Sequence, residues 1–135
     1  MKKYALFILC LALAVGAGAR VMTDFFISMP DSLMPMLNQN AKKDLIDFYK
    51  SDMKPILPNE WSANSKLVRV ENNFIELSED SEGIVTTSMA MLELKNRDTL
   101  LCMVRTIKTP QPDSEIFFFS KNWAPLKTQK YITIP

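Results

Sequence analysis

Histidine is absent from the 135-residue chain. That removes Ser-His-Asp and Cys-His nucleophilic sites, imidazole acid–base chemistry and the commonest zinc ligand. Any catalysis would have to run on carboxylates, Lys, Tyr or a thiol. Cysteine is scarce, with Cys10 and Cys102 alone. A basic excess is also missing: 16 Lys and Arg stand against 15 Asp and Glu, for a net charge of +1. Nucleic-acid binding needs a concentrated basic surface to displace counterions, so that class is set aside.

No apolar run is long enough to stay in a bilayer. The longest, Tyr4 to Val15, holds about a dozen residues against the ~20 that a hydrocarbon core requires. Its setting gives it a different meaning. Lys2 and Lys3 precede it, Gly16 and Gly18 weaken its helix, and Ala17-Gly18-Ala19 supplies small residues ahead of Arg20. This is the pattern of a secretory leader, and cleavage is expected after Ala19. Cys10 invites a lipoprotein reading, but Leu9 is not the small residue a lipobox wants, so Cys10 reads as a passenger in the leader. Residues 1–19 are thus expected to be a signal peptide and residues 20–135 a single domain, exported to the periplasm or cell surface. No membrane span is expected after cleavage.

Loss of Lys2 and Lys3 leaves 14 basic residues against 15 acidic, moving the net charge from +1 to −1. Cys102 is then the sole thiol, so no internal disulfide can form and burial must hold the fold. Domains of this size bury around two thirds of their unfolded surface, which is enough.

Within residues 20–135, Phe25, Phe26 and Ile27 form an apolar lead-in. A short first helix is expected from Ser32 to Gln39, and Pro30 limits what precedes it. A second helix, capped by Asn40 and stopped by Pro55, carries Leu45, Ile46, Phe48, Tyr49 and Met53 on one face, with Lys42, Lys43, Asp44, Asp47 and Lys50 on the other. Lys43 and Asp47 are spaced to pair. Strands are expected at Leu67–Glu71, Phe74–Ser78, Ile84–Lys95, Thr99–Lys108 and Glu115–Ser120, with short polar breaks that favour an antiparallel meander. Tyr131–Ile134 reads as one more strand, which either closes the sheet edge or belongs to the front part of a longer protein. The expected class is α+β: two N-terminal helices packed on one face of a mainly antiparallel five- to six-stranded sheet.

Candidate chemistry is thin. Ser51-Asp52-Met53-Lys54 fits Ser-x-x-Lys, but the Ser-Asp-Asn and Lys-Thr-Gly partners are missing and Lys54 is expected solvated. From Ser78, Asp80, Glu82 and Gly83 fall at calcium-loop positions, yet the twelfth position is Met89, so a solvated turn is the better reading. Cys102, among Leu100, Leu101, Met103 and Val104, reads as a small core hydrophobe. The methionines Met29, Met34, Met36, Met53, Met89, Met91 and Met103 supply adaptable packing, or a docking face where several are exposed. Trp61 and Trp123, flanked by Asn59, Glu60 and Asn122, could offer stacking surfaces for a sugar or peptide, although a Trp at a strand end more often caps the core.

Met29-Pro30-Asp31-Ser32-Leu33 with Pro35, Leu45-Ile46-Asp47-Phe48-Tyr49, Ser51-x-Met53-Lys54, Pro112-x-Ser114-Glu115 and Trp123-x-Pro125-Leu126 resemble a family of exported Bacteroides-type proteins known only as a domain of unknown function. The resemblance implies export, a mixed α/β fold, members longer than this one, and no site residues to transfer. The expectation is therefore a non-enzymatic binding or interaction module whose partner is a protein or envelope component, with Trp61, Trp123 and Asn122 as binding residues. No catalytic residue, metal or cofactor is expected. The alternatives are a small carboxylate-dependent hydrolase acting on glycans or peptides, in which two distant carboxyls converge, and a subunit of a larger envelope assembly.

Overall fold

The computed structural model describes residues 20–80 and 82–131. The expected leader, its cleavage point at Ala19, Cys10 and the last three residues of the expected terminal strand lie outside them.

Seven strands form one antiparallel sheet in chain order: β1 (Ile56–Pro58), β2 (Asn64–Glu71), β3 (Phe74–Ser78), β4 (Val85–Glu93), β5 (Thr99–Ile107), β6 (Asp113–Ser120) and β7 (Pro125–Leu126). The meander is as expected, but the strand count is seven, not five or six. The additions are the edge strands β1 and β7, of three and two residues. They are too short to show alternation, and Pro58 and Pro125 are at home on an edge.

Two helices precede the sheet, α1 (Met22–Ser28) and α2 (Gln39–Lys50). The first is not where the sequence placed it. Residues 31–33 make one 3₁₀ turn, and residues 34–38 are not helical. Pro35 explains this, because it disfavours helical backbone at Met34, which sits at φ −146° and ψ 71°. The supposed lead-in is the real helix. Met22, Phe25, Phe26 and Met29 are all buried and recur at helical spacing, while Asp24 accepts a hydrogen bond from the Val21 backbone N–H at 3.1 Å.

In α2 the cap is Asn38 and not Asn40; its Oδ1 accepts from the Ala41 N–H at 2.8 Å. Leu45 and Ile46 are buried as expected. Met53 is not, because the helix ends at Lys50 before that position can join the stripe. Lys42 departs furthest from expectation. Its side chain is 0% exposed, with Nζ donating to Met29 O at 3.1 Å and lying 3.5 Å from Asp31 Oδ1. Burial lowers its pKa, and Asp31 offsets part of that by its charge and hydrogen bond. The Lys43–Asp47 pair does not form among the described ion pairs.

Both helices and residues 31–37 cover one sheet face. Beneath them lie Leu67, Ile75, Leu77, Met89, Leu101, Met103 and Phe119, with Met29, Met34 and Met36 packed from above. Most of the methionines are therefore core filler. The opposite face carries the cross-strand row Phe74, Ala90, Cys102, Phe118 and Leu126. Tyr131 packs on Phe118 there, with ring centroids 5.0 Å apart. Cys102 is half-buried, and its surroundings push the thiol pKa up, as suits an inert packing residue.

Candidate functional site

The expected binding residues do not converge. Trp123 is buried: its Nε1–H donates to Phe25 O at 2.9 Å, and its ring meets Phe119 at a centroid distance of 5.3 Å. It caps the core and ties the end of β6 to α1. Asn122 is exposed beside it, and its backbone N–H donates to Ser120 Oγ. Trp61 is 52% exposed and belongs to a different part of the molecule. Of the three, only Trp61 presents an aromatic surface to solvent.

Trp61 stands over charge. The Arg105 guanidinium carbon lies 5.7 Å from its ring centroid. Arg105 in turn donates through Nη2 to Glu79 Oε2 at 2.7 Å, while Thr87 Oγ1 donates to Glu79 Oε1 at 2.8 Å. Glu79 is only 5% exposed, so this acid is not part of the solvated turn its acidic neighbours suggested. Register explains the meeting. Thr87 pairs with Leu77 on β3 and with Arg105 on β5, and Arg105 pairs with Glu115 on β6. Directly paired residues share a sheet face, so all three belong to the helix-covered side.

The loop carrying Trp61 is pinned to the same place. Asn59 Nδ2 donates to Ser65 Oγ and to Glu79 O, each at 2.9 Å, and Asn59 Oδ1 accepts from the Trp61 N–H at 2.9 Å. Glu60 N–H donates to Met36 O at 3.1 Å, joining the loop to the covering segment. Asn59, which the sequence offered only as a polar neighbour of Trp61, is the residue that pins this loop.

Where the covering segment ends, a cavity of about 210 Å³ opens. Ser32, Leu33 and Met34 form its upper wall, and Glu79, Thr87 and Arg105 line its polar side. Phe117, 37% exposed, shares it with Met103 and Phe119. Arg105 Nε is buried without a hydrogen-bond partner among the described residues.

The other chemical readings find little support. Asp80, at calcium-loop position three, spends its carboxylate on the turn: its oxygens accept from Ser78 Oγ and from the backbone N–H groups of Gly83 and Ile84. Burial tends to raise its pKa, but those hydrogen bonds outweigh it and hold the group below the ordinary carboxylate value. No cluster of three or more metal-ligating side chains occurs among the described residues. Ser51 and Lys54 are both exposed at the end of α2. Glu79 is the one buried carboxylate among the described residues, and both its oxygens are engaged. No helix among them is long and apolar enough to cross a membrane.

A second, larger hollow of about 670 Å³ lies near the Trp123 end, lined by Arg20, Phe25, Asn73, Glu93, Arg97 and Lys121 among others. It is open and its cations are surface side chains, whereas the Arg105 cluster is braced by hydrogen bonds.

Comparison with known proteins agrees with this architecture. Residues 14–135 match the family described as Protein of unknown function (DUF3256). The chain belongs to that family. Among curated proteins nothing matches. Among solved structures, a domain of an uncharacterized protein from Porphyromonas gingivalis W83 is similar, with a TM-score of 0.69 and 22% identity over 84% of this chain. This chain spans 57% of the length of that one. At such identity the likeness bears on the fold of this DUF3256 member and not on its activity.

Proposed function

We infer that this DUF3256 member is an exported, non-enzymatic interaction module of the periplasm or cell surface that captures a protein or envelope partner. Export is supported by the basic, apolar and small-residue order of Lys2 to Ala19. The interaction reading rests on one observation: an exposed Trp61 over a partly exposed Arg105 that is hydrogen-bonded to the buried Glu79, beside a small apolar-walled cavity. Exposed aromatics next to a committed arginine are what interaction hot spots are made of. The cavity is smaller than the ~300 Å³ at which small-molecule sites begin, which suits one side chain of a partner.

Cell fractionation with N-terminal sequencing, followed by capture from the envelope fraction, tests this. The expected outcome is an exported chain beginning at Arg20 that retains one reproducible partner, with retention lost in Trp61→Ala. A cytosolic chain that keeps Met1, or capture indifferent to Trp61, overturns it.

A further inference from the structure

The chemistry of the cavity defines what it takes. Arg105 has already given its charge to Glu79, and the two are joined at 2.7 Å. The floor of the site is therefore neutral overall and has no claim on an anion. Leu33, Met34, Met103, Phe117 and Phe119 make most of its wall. Polar capacity is slight, because Thr87 is spent on Glu79. A sugar would bring more hydroxyls than Ser32 and Arg105 can satisfy, and each one left unmatched carries a desolvation cost. The space corresponds to about seven waters at ~30 Å³ each, room for one aliphatic or aromatic side chain.

The rim carries the second half of the specificity. Glu115 stands directly across from Arg105 on β6 and shares its face, but it is exposed and makes no ion pair among the described ones. Asp113, two residues along the same strand and so on the same face, is exposed too. Asp31, next to the cavity-lining Ser32, is 58% exposed, with Lys42 as its buried partner. Lys108 does not offset them, since its Nζ lies at the Gly83 turn. An apolar cavity with a neutral floor thus lies beside two exposed carboxylates, Glu115 and Asp113, that make no ion pair among the described ones.

We propose that the Arg105–Phe117 cavity, with Trp61 beside it over Arg105, is the docking site for a partner polypeptide segment presenting one uncharged apolar side chain flanked by Lys or Arg. The apolar side chain enters between Phe117 and Met103. Trp61 closes over the segment, and the basic residues meet Glu115 and Asp113. This rests on the interaction reading above and names the partner's chemistry. Apolar burial supplies the affinity, and the rim charges supply selection and salt dependence.

The test uses the purified protein and a short acetylated and amidated peptide with a central leucine and lysine on both sides, followed through Trp61 fluorescence. Trp123→Phe serves as the background that removes the second indole. Replacing leucine by alanine, or the lysines by glutamate, is expected to weaken binding by about tenfold or more, with salt weakening the lysine form alone. The exposed Glu115→Lys change should reverse the charge preference, so that the glutamate-flanked peptide binds better. Equal binding of the lysine and glutamate peptides, an unreversed preference in Glu115→Lys, or binding of an acidic oligosaccharide in place of either peptide overturns the proposal. Envelope capture that depends on Trp61 without peptide selectivity sinks this inference alone. Peptide selectivity in a protein that is never exported sinks the wider reading alone.

Discussion

The two tryptophans of this chain share a side chain and little else. Trp123 lies under the helix layer, its ring against Phe119 and its indole N–H given to Phe25 O across 98 residues of sequence. Trp61 lies where that layer stops, with half its surface open and a guanidinium beneath it. One sheet face therefore has two regimes. Under α1, α2 and residues 31–37 it is sealed by apolar side chains, and beside Ser32, Leu33 and Met34 it carries a charged pair and a hollow. The contrast teaches that a sealed region and an open one are built on the same three strands, β4, β5 and β6. The same strands serve both, and register alone decides which residues face which regime.

Breaking the sealed end should cost most. Trp123→Ala removes a buried aromatic and leaves Phe25 O without its donor, so a loss of about 3–5 kcal/mol is expected in chemical denaturation. Arg105→Ala, at the open end, strands the carboxylate of Glu79. It should cost about 2–3 kcal/mol, somewhat less than a fully buried pair because Arg105 is partly solvated. Glu79→Gln in the same background should recover part of that loss, since it removes the stranded charge.

Lys42 sharpens the comparison, because it is a buried charge within the sealed half. Its folded pKa lies below its unfolded one, so the unfolded chain binds the proton more tightly. The cost of burying the ammonium is therefore fully present below the folded value, and stability rises as pH climbs from there toward the ordinary lysine range. Lys42→Met should leave stability within about 1 kcal/mol of the parent, or raise it, and should flatten that alkaline rise. A steep loss of stability at neutral pH in Lys42→Met would show instead that the bond to Met29 O outweighs the burial cost.

Much of the sealed half was legible in the sequence. The stripe Leu45, Ile46 and Tyr49 forecast α2, and the β-branched and aromatic runs forecast the five longer strands with a meander between them. Two features misled. The spacing of Met22, Phe25, Phe26 and Met29 was helical, but it lay between the expected leader and Pro30 and read as a lead-in. Residues 32–39 had helix-friendly ends, and Pro35 overruled them. The open half was scarcely legible. Glu79 sits in a run of acidic and serine residues that looks like any solvated turn, and its partner Arg105 is 26 residues away, brought near only by the pairing of β3, β4 and β5. Lys42 was read as a surface charge because periodicity places a residue on a face without saying what crosses above it.

The most direct test of this division is indole N–H exchange by NMR, read with and without the lysine-flanked leucine peptide. The two resonances should part company: Trp123 protected and unmoved by the peptide, Trp61 exchanging at once and shifting as the peptide is added. Equal protection of both indoles, or a peptide-induced shift confined to Trp123, would contradict the account of one sealed and one open end.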